Sequence, residues 1–160
     1  MWLDPWSDAD GGGYQTIQSI YAIANGHFGG TGFGQGTFTD ADGNQLIPYV
    51  STDFIYSALA QELGLVGISA FLLVYMLFAA RGFRIAMLAQ DGFSKLLAVG
   101  LTFCFTLQTF IIVGGIVRII PLTGITLPFV SYGGSSIVAN FVLLAGLLLV
   151  SNRANERLGT

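Results

Sequence analysis

The sequence predicts an all-α integral membrane protein: three transmembrane helices, preceded by a long extracytoplasmic N-terminal segment that contains a short amphipathic helix. Three observations carry this expectation. Only 9% of the 160 residues are charged while 53% are hydrophobic, against about 25% charged in ordinary soluble domains. Three long runs lack charge altogether. The basic residues, finally, are spread unevenly around those runs.

The first run, residues 63–80 (LGLVGISAFLLVYMLFAA), ends at Arg81. The second, residues 96–117 (LLAVGLTFCFTLQTFIIVGGIV), lies between Lys95 and Arg118. The third, residues 135–150, ends before Asn152 and Arg153 and is short unless it extends toward Tyr132. A crossing helix needs about 20 apolar residues, which the first two runs supply. A buried hairpin in a soluble protein would account poorly for three such runs in so short a chain.

Orientation follows from charge. Arg81, Arg84 and Lys95 sit in the stretch RGFRIAMLAQDGFSK between the first two spans, Arg153 and Arg157 in the tail, and only Arg118 on the opposite side. The positive-inside rule places the basic stretch and the tail in the cytoplasm. Residues 1–53 and the segment RIIPLTGITLPFVSYGG then face outward. This divides the chain into an extracytoplasmic region, 1–53, and a three-helix transmembrane region with a cytoplasmic C-terminal tail, 54–160.

Several classes are excluded. A net charge of −3 without clustered Lys or Arg gives no basis for binding nucleic acid. The single cysteine, Cys104, lies inside an apolar run, which rules out a disulfide framework and predicts a packed, inert thiol. The opening MWLDPWSDAD has neither the basic nor the apolar region of a cleavable signal peptide.

Residues 1–53 hold six of the nine acids and no Lys or Arg. Within them, YQTIQSIYAIAN (residues 14–25) sets Ile17, Ile20, Tyr21 and Ala24 at helical spacing, with Gly26 as the C-cap candidate. Such a helix is too short to cross, so an interfacial or re-entrant position is expected. His27, just beyond it, reads as structural rather than catalytic. The run GGTGFGQG (residues 29–36) lacks the following helix that a nucleotide-binding loop needs. Its glycines instead permit unusual backbone conformations and close approach by a neighbour. The tetrapeptide DADG occurs at 8–11 and again at 40–43. Neither copy has the remainder of a calcium loop, so both read as solvated turns.

In the second outward segment, Pro121, Gly124, Pro128, Gly133 and Gly134 are interleaved with Thr123, Thr126, Ser131, Tyr132, Ser135 and Ser136. Non-helical backbone at membrane depth survives only where protein buries it or water reaches it. A polar cleft opening outward is the expectation.

Two carboxylates stand near the first span. On a continuous helix Asp53 and Glu62 would point about 180° apart and lie about 13 Å apart in depth, so they cannot form a two-acid glycosidase pair. Glu62, inside the bilayer, would cost about 3 kcal/mol if charged and unpaired. It is expected to face the bundle as a polar clamp, protonated or bonded to Gln108 or Arg118. Asp53 sits at the polar–apolar boundary, where partial desolvation suits a general base. The alternative is that Ser51, Thr52 or Asp53 caps the helix.

The strings GTGFGQG, IPYVSTDFIYSALAQELGLVG and QTFIIVGGIVRIIPLTGITLPFVSYGGSS, in this order, resemble the FtsW/RodA/SpoVE (SEDS) family, and the wording of residues 108–141 is most similar to actinobacterial FtsW-type members. The resemblance covers nearly the whole chain. It implies the C-terminal part of a ten-helix bundle: a large extracytoplasmic loop and the last three helices. It also implies a peptidoglycan glycosyltransferase that polymerises lipid II in cell division or elongation, in the plasma membrane. Asp53 in STDFIY matches the family's essential acid and would be the general base. Thr52, Arg118, Thr123, Ser131 and Tyr132 are assigned to substrate binding, and Glu62, Gly32, Gly34, Gly36, Gly124, Pro128, Gly133 and Gly134 to the structural motif. Ser51 stands where the family usually has His.

Arg118 alone is insufficient to balance a departing pyrophosphate. A divalent cation (Mg or Mn) is one further source of charge, though no metal motif is seen, and the chain is expected to be a truncated one, not active by itself. The resemblance implies as partners a class B penicillin-binding protein, a transpeptidase, together with divisome or elongasome membrane proteins. A flippase for lipid-linked precursors and a non-catalytic divisome scaffold are the competing functions. Span two, polar only at Gln108 and its hydroxyl side chains, disfavours the flippase.

Overall fold

The computed structural model describes residues 4–8, 11, 13–36 and 54–158, with side chains through 155. It contains a short 3-10 turn at Pro5–Asp8 and four helices: α1 (Tyr14–Asn25), α2 (Ile55–Leu88), α3 (Gly92–Ile116) and α4 (Gly134–Leu158). The described residues form no strand.

Helices α2, α3 and α4 are each long and apolar enough to cross a membrane. Their packing shows which solvent they suit. No more than 22% of the apolar window of any of the three is buried, while Met76, Leu96 and Val142 stand 71%, 74% and 66% exposed. Outward apolar faces of this size need lipid or other protein against them, so the soluble hairpin is set aside. The chain is a multi-pass membrane protein.

The helices run past the boundaries that charge marked. Helix α2 continues through Arg81 and Arg84 to Leu88, and α3 already includes Lys95. The basic stretch is therefore mostly helical, and residues 89–91 alone form the link. Arg and Lys carry long stems that reach from a helix to the membrane surface, so these residues mark the edge of the lipid rather than the end of the helix. Asp91 caps α3 by accepting a hydrogen bond from the Ser94 amide at 2.8 Å. Helix α4 likewise exceeds the predicted 135–150.

Small residues let α2 and α3 approach. Ala98 is fully buried, and a side chain at Gly82 would collide with Thr102. Above this contact lies an aromatic cluster: Phe105 stacks on Tyr75 at 5.4 Å and packs against Phe78 at 4.3 Å. Cys104 corrects an expectation. It is exposed, about 100° around α3 from the buried Phe105, so the thiol is not packed.

Helix α1 has the predicted limits and ends at the predicted cap, Gly26, but a different face is buried. Ile17, Ser19 and Ala22 point inward, while Tyr21 and Ala24 are exposed. Close approach explains the difference. A side chain at Gly26 would collide with the Ala60 carbonyl of α2, so the small-residue face, not the most apolar one, makes the contact.

Candidate functional site

Helix α2 is broken near its start. Gly64 has φ 67° and ψ −174°, a combination essentially restricted to glycine. In an unbroken helix the Leu65 amide would donate to the Gln61 carbonyl and the Val66 amide to that of Glu62. Here residues 27–32, the loop after α1, take over all four groups. Leu65 N donates to His27 O at 2.9 Å and Val66 N to Phe28 O at 3.2 Å. In return Thr31 N donates to Gln61 O at 2.9 Å and Gly32 N to Glu62 O at 3.1 Å. The Thr31 hydroxyl adds a longer bond to Gln61 O. The loop folds this tightly because Gly30 and His27 adopt positive φ, 79° and 45°.

The upper part of α2, residues 55–63, is thereby tied to the loop more than to the crossing helix below. Below the break, residues 65–88 still rise about 36 Å, enough to cross about 30 Å of hydrocarbon. The N-cap of α2 is Phe54, which is buried and gives no side-chain cap bond; the predicted polar cap does not occupy the N-cap position. Asp53, Thr52 and Ser51 lie outside the described residues, as does the second DADG.

The segment between α3 and α4 folds back into the bundle. Leu127, Pro128 and Ser131 are buried, and the Phe129 ring reaches Phe78, Phe105 and Phe141 at 6.4, 6.2 and 5.6 Å. Because Phe105 lies in the middle of α3, this turn enters the membrane interior. Its polar groups are satisfied by protein. The Tyr75 hydroxyl donates to the Pro128 carbonyl, Gln108 Nε2 to Thr126 O at 2.8 Å, and the Leu127 amide to Ser131 Oγ at 2.8 Å. Thr126 and Ser136 share a hydroxyl bond of 2.6 Å, and Asn140 Nδ2 donates to Ser136 O at 2.9 Å. Gly124 and Phe129 turn the chain with φ near 68° and 63°.

Replacing Tyr75 by Phe removes only the donor to Pro128 and is expected to cost about 1 kcal/mol. Thermal unfolding in detergent checks this; an unchanged midpoint would mean that the turn is held by other contacts.

The substrate-binding candidates therefore stand in different surroundings. Ser131 is buried and spends its hydroxyl inside the turn, whereas Tyr132 and Thr123 are exposed. Arg118, at φ 64°, lies two residues past α3 and 5.5 Å from the centre of the Trp6 ring. Gly32 and Gly34 hold positive φ on the exposed loop, and Gly36 is half-buried. Pro128 is the buried acceptor for Tyr75, Gly133 O accepts from Ile137 N at the entry to α4, and Gly134 begins that helix. Glu62 departs from expectation. It is half-buried, and its side chain clamps neither Gln108, committed to Thr126, nor Arg118. The break two residues later ends its helix segment and turns its backbone carbonyl to Gly32.

Sequence reasoning missed Tyr75 and Gly64. A phenol inside an apolar run must find an acceptor when buried, which was a usable signal. A mid-run glycine gave a weaker one. Among the described residues no group of three or more His, Cys, Asp and Glu is placed to hold a metal. An apolar groove of about 480 Å³ runs between α2 and α3, lined by Tyr75, Met76, Phe105, Phe110, Val113 and Ile119 among others.

A three-helix membrane domain with a clasped, broken helix and a re-entrant turn is thus the class that fold and site define. The family profile FTSW_RODA_SPOVE, described as "Cell cycle protein", matches residues 1–156, and the chain belongs to this family. Peptidoglycan glycosyltransferase RodA of Mycobacterium tuberculosis is 48% identical over 159 residues, covering 99% of this chain and 33% of the relative. Stage V sporulation protein E of Bacillus subtilis is 41% identical over 150 residues, covering 94% and 40%. The actinobacterial resemblance thus meets mycobacterial relatives that carry the RodA name.

Among solved structures, a peptidoglycan synthase complex, described by its coordination of polymerization and crosslinking, matches with a TM-score of 0.73 and 29% identity. That match covers 96% of this chain and 40% of the other. A mutant of the Thermus thermophilus rod shape determining protein RodA matches with a TM-score of 0.59 and 36% identity, over 64% of this chain and 34% of the other. The chain spans about a third to two-fifths of the length of these relatives.

Proposed function

We propose that the chain carries the reacting carboxylate of a peptidoglycan glycosyltransferase that polymerises lipid II at the outer face of the plasma membrane. The observation that supports this most directly is the likeness to peptidoglycan glycosyltransferase RodA over 99% of the chain, a stretch that includes STDFIY. Residues 1–53 and the segment between α3 and α4 face outward in this reading, and the tail faces the cytoplasm, which the placement of the basic residues supports.

Asp53 takes the proton from the acceptor sugar hydroxyl as that oxygen attacks the anomeric carbon of the donor. The new carbon–oxygen bond forms as the bond to the undecaprenyl pyrophosphate oxygen breaks, so the configuration inverts. Phe54, the next residue in sequence, is buried at the head of α2. Thr52, Thr123 and Tyr132 are assigned to substrate contact, buried Ser131 to holding the turn that presents them, and Arg118 to the leaving pyrophosphate. The described residues form no metal cluster; a divalent cation, where one takes part, would arrive with the pyrophosphate.

The partner is a class B penicillin-binding protein, supported by the likeness to a peptidoglycan synthase complex.

The test is glycan-strand synthesis from labelled lipid II by the native protein, reconstituted in vesicles with its transpeptidase. Movement of lipid II across the bilayer without strand growth would replace the polymerase by a flippase. In the same assay Glu62→Gln is expected to retain at least half of the activity, because the Glu62 carboxylate has no ionic partner among the described residues. Complete loss with normal expression would place the charge of Glu62 in the chemistry.

A further inference from the structure

We propose that Gly30 and Gly64 are positioning residues: together they lock the head of α2, and with it the base at Asp53, onto the loop that follows α1. The inference rests on the reading of Asp53 as the base, and it goes beyond that reading in naming what aims it.

The argument begins with the break. A crossing helix is held by its packing in the membrane, and a continuous α2 would transmit that fixed direction to its first residue. At Gly64 the direction is lost. From there upward, residues 55–63 are held by the packing of Tyr56 and Ala60 in the core and by the exchange of backbone bonds between Gln61, Glu62, Leu65 and Val66 on one side and residues 27–32 on the other.

The exchange needs two bare backbones in contact. A methyl group at Gly30 would collide with the Glu62 carbonyl, and one at Gly64 with the Gly30 amide and the Phe28 carbonyl. Both residues also have positive φ, strained for any L side chain. Gly29, next in sequence, is free of both constraints: a methyl group there meets nothing within 4 Å, and its φ is ordinary. The clasp therefore rests on one glycine of the glycine-rich run, Gly30, and on its counterpart in α2, Gly64. Its other end is the buried Phe54, to which Asp53 is directly bonded. A displacement of about 1 Å in a reacting group costs about 100-fold in rate, so a change of direction at Gly64, several residues away, reaches the chemistry.

The test pairs a distance with a rate, both in the native protein reconstituted with its transpeptidase. Spin labels at Asp53→Cys and Val74→Cys, the latter on the exposed face below the break, read the angle between the two parts of α2 without needing activity. Gly30→Ala is expected to shift or broaden the distance distribution. In unlabelled protein it should lower kcat for lipid II polymerisation about 100-fold, with KM within about threefold. Gly29→Ala should change neither. Gly64→Ala favours the straight helix and should shift the distance in the same way; it carries the test should Gly30→Ala not fold. An unchanged distance in both variants overturns the clasp, and a shifted distance with unimpaired kcat overturns the positioning role. Full activity in Asp53→Asn would instead overturn the reading of the base, with the distance measurement still standing on its own.

Discussion

Asp53→Asn is expected to lower lipid II polymerisation by about 1000-fold while leaving KM within a few-fold. The amide keeps the size and the hydrogen-bonding reach of the carboxylate but cannot take up the acceptor's proton. General-base contributions are worth about 10² to 10⁴ in rate, and Glu62, in the upper part of α2 with its backbone carbonyl bound to the loop, is not assigned to share the load. Gel analysis of glycan strands from labelled lipid II supplies the measurement. Activity within tenfold of the parent would remove Asp53 from proton transfer.

Phe105→Ala is expected to have the largest effect on stability, a loss of about 3 kcal/mol. Phe105 is buried between α2 and the re-entrant turn, with Tyr75, Phe78 and Phe129 around it at 5.4, 4.3 and 6.2 Å. Lipid offers an exposed apolar side chain almost as good a home as the core does, so simple transfer contributes little here. What the variant loses is dispersion contact with three rings and the filling of the space between them. Unfolding in detergent, followed by the loss of helical signal, measures the cost. Phe105→Leu, which keeps most of the volume, should lose less than half as much. A loss below about 1 kcal/mol for alanine would mean that the turn collapses to fill the space.

The elements differ in how plainly the sequence announced them, and the reasons are physical. Helix α1 was legible to the residue because its apolar spacing and the glycine after Asn25 both act locally. The three spans were legible from hydropathy, but their ends were not: Arg81, Arg84 and Lys95 mark where lipid stops, and helical hydrogen bonding continues past that level. The exposed Cys104 shows the limit of hydropathy in another way, since in a membrane an apolar run says nothing about which side faces protein. The break at Gly64 was hidden because its partner lies in residues 27–32, far along the chain, and one glycine in LGLVG is ordinary. Asp53 stood out through family resemblance; composition alone would have left it as a helix cap.

The hydrogen-bond exchange at Gly64 bears on how the chain is put together. A rod running straight through residues 61–66 leaves none of its own peptide groups wanting, so α2 can pass into the bilayer as an ordinary apolar cylinder. In the opened helix the preceding loop replaces those bonds group for group, so that all four change hands and none is left bare to oil. Straight and opened forms are therefore matched in backbone hydrogen bonds, and what favours the opening is the close contact that Gly30 and Gly64 permit.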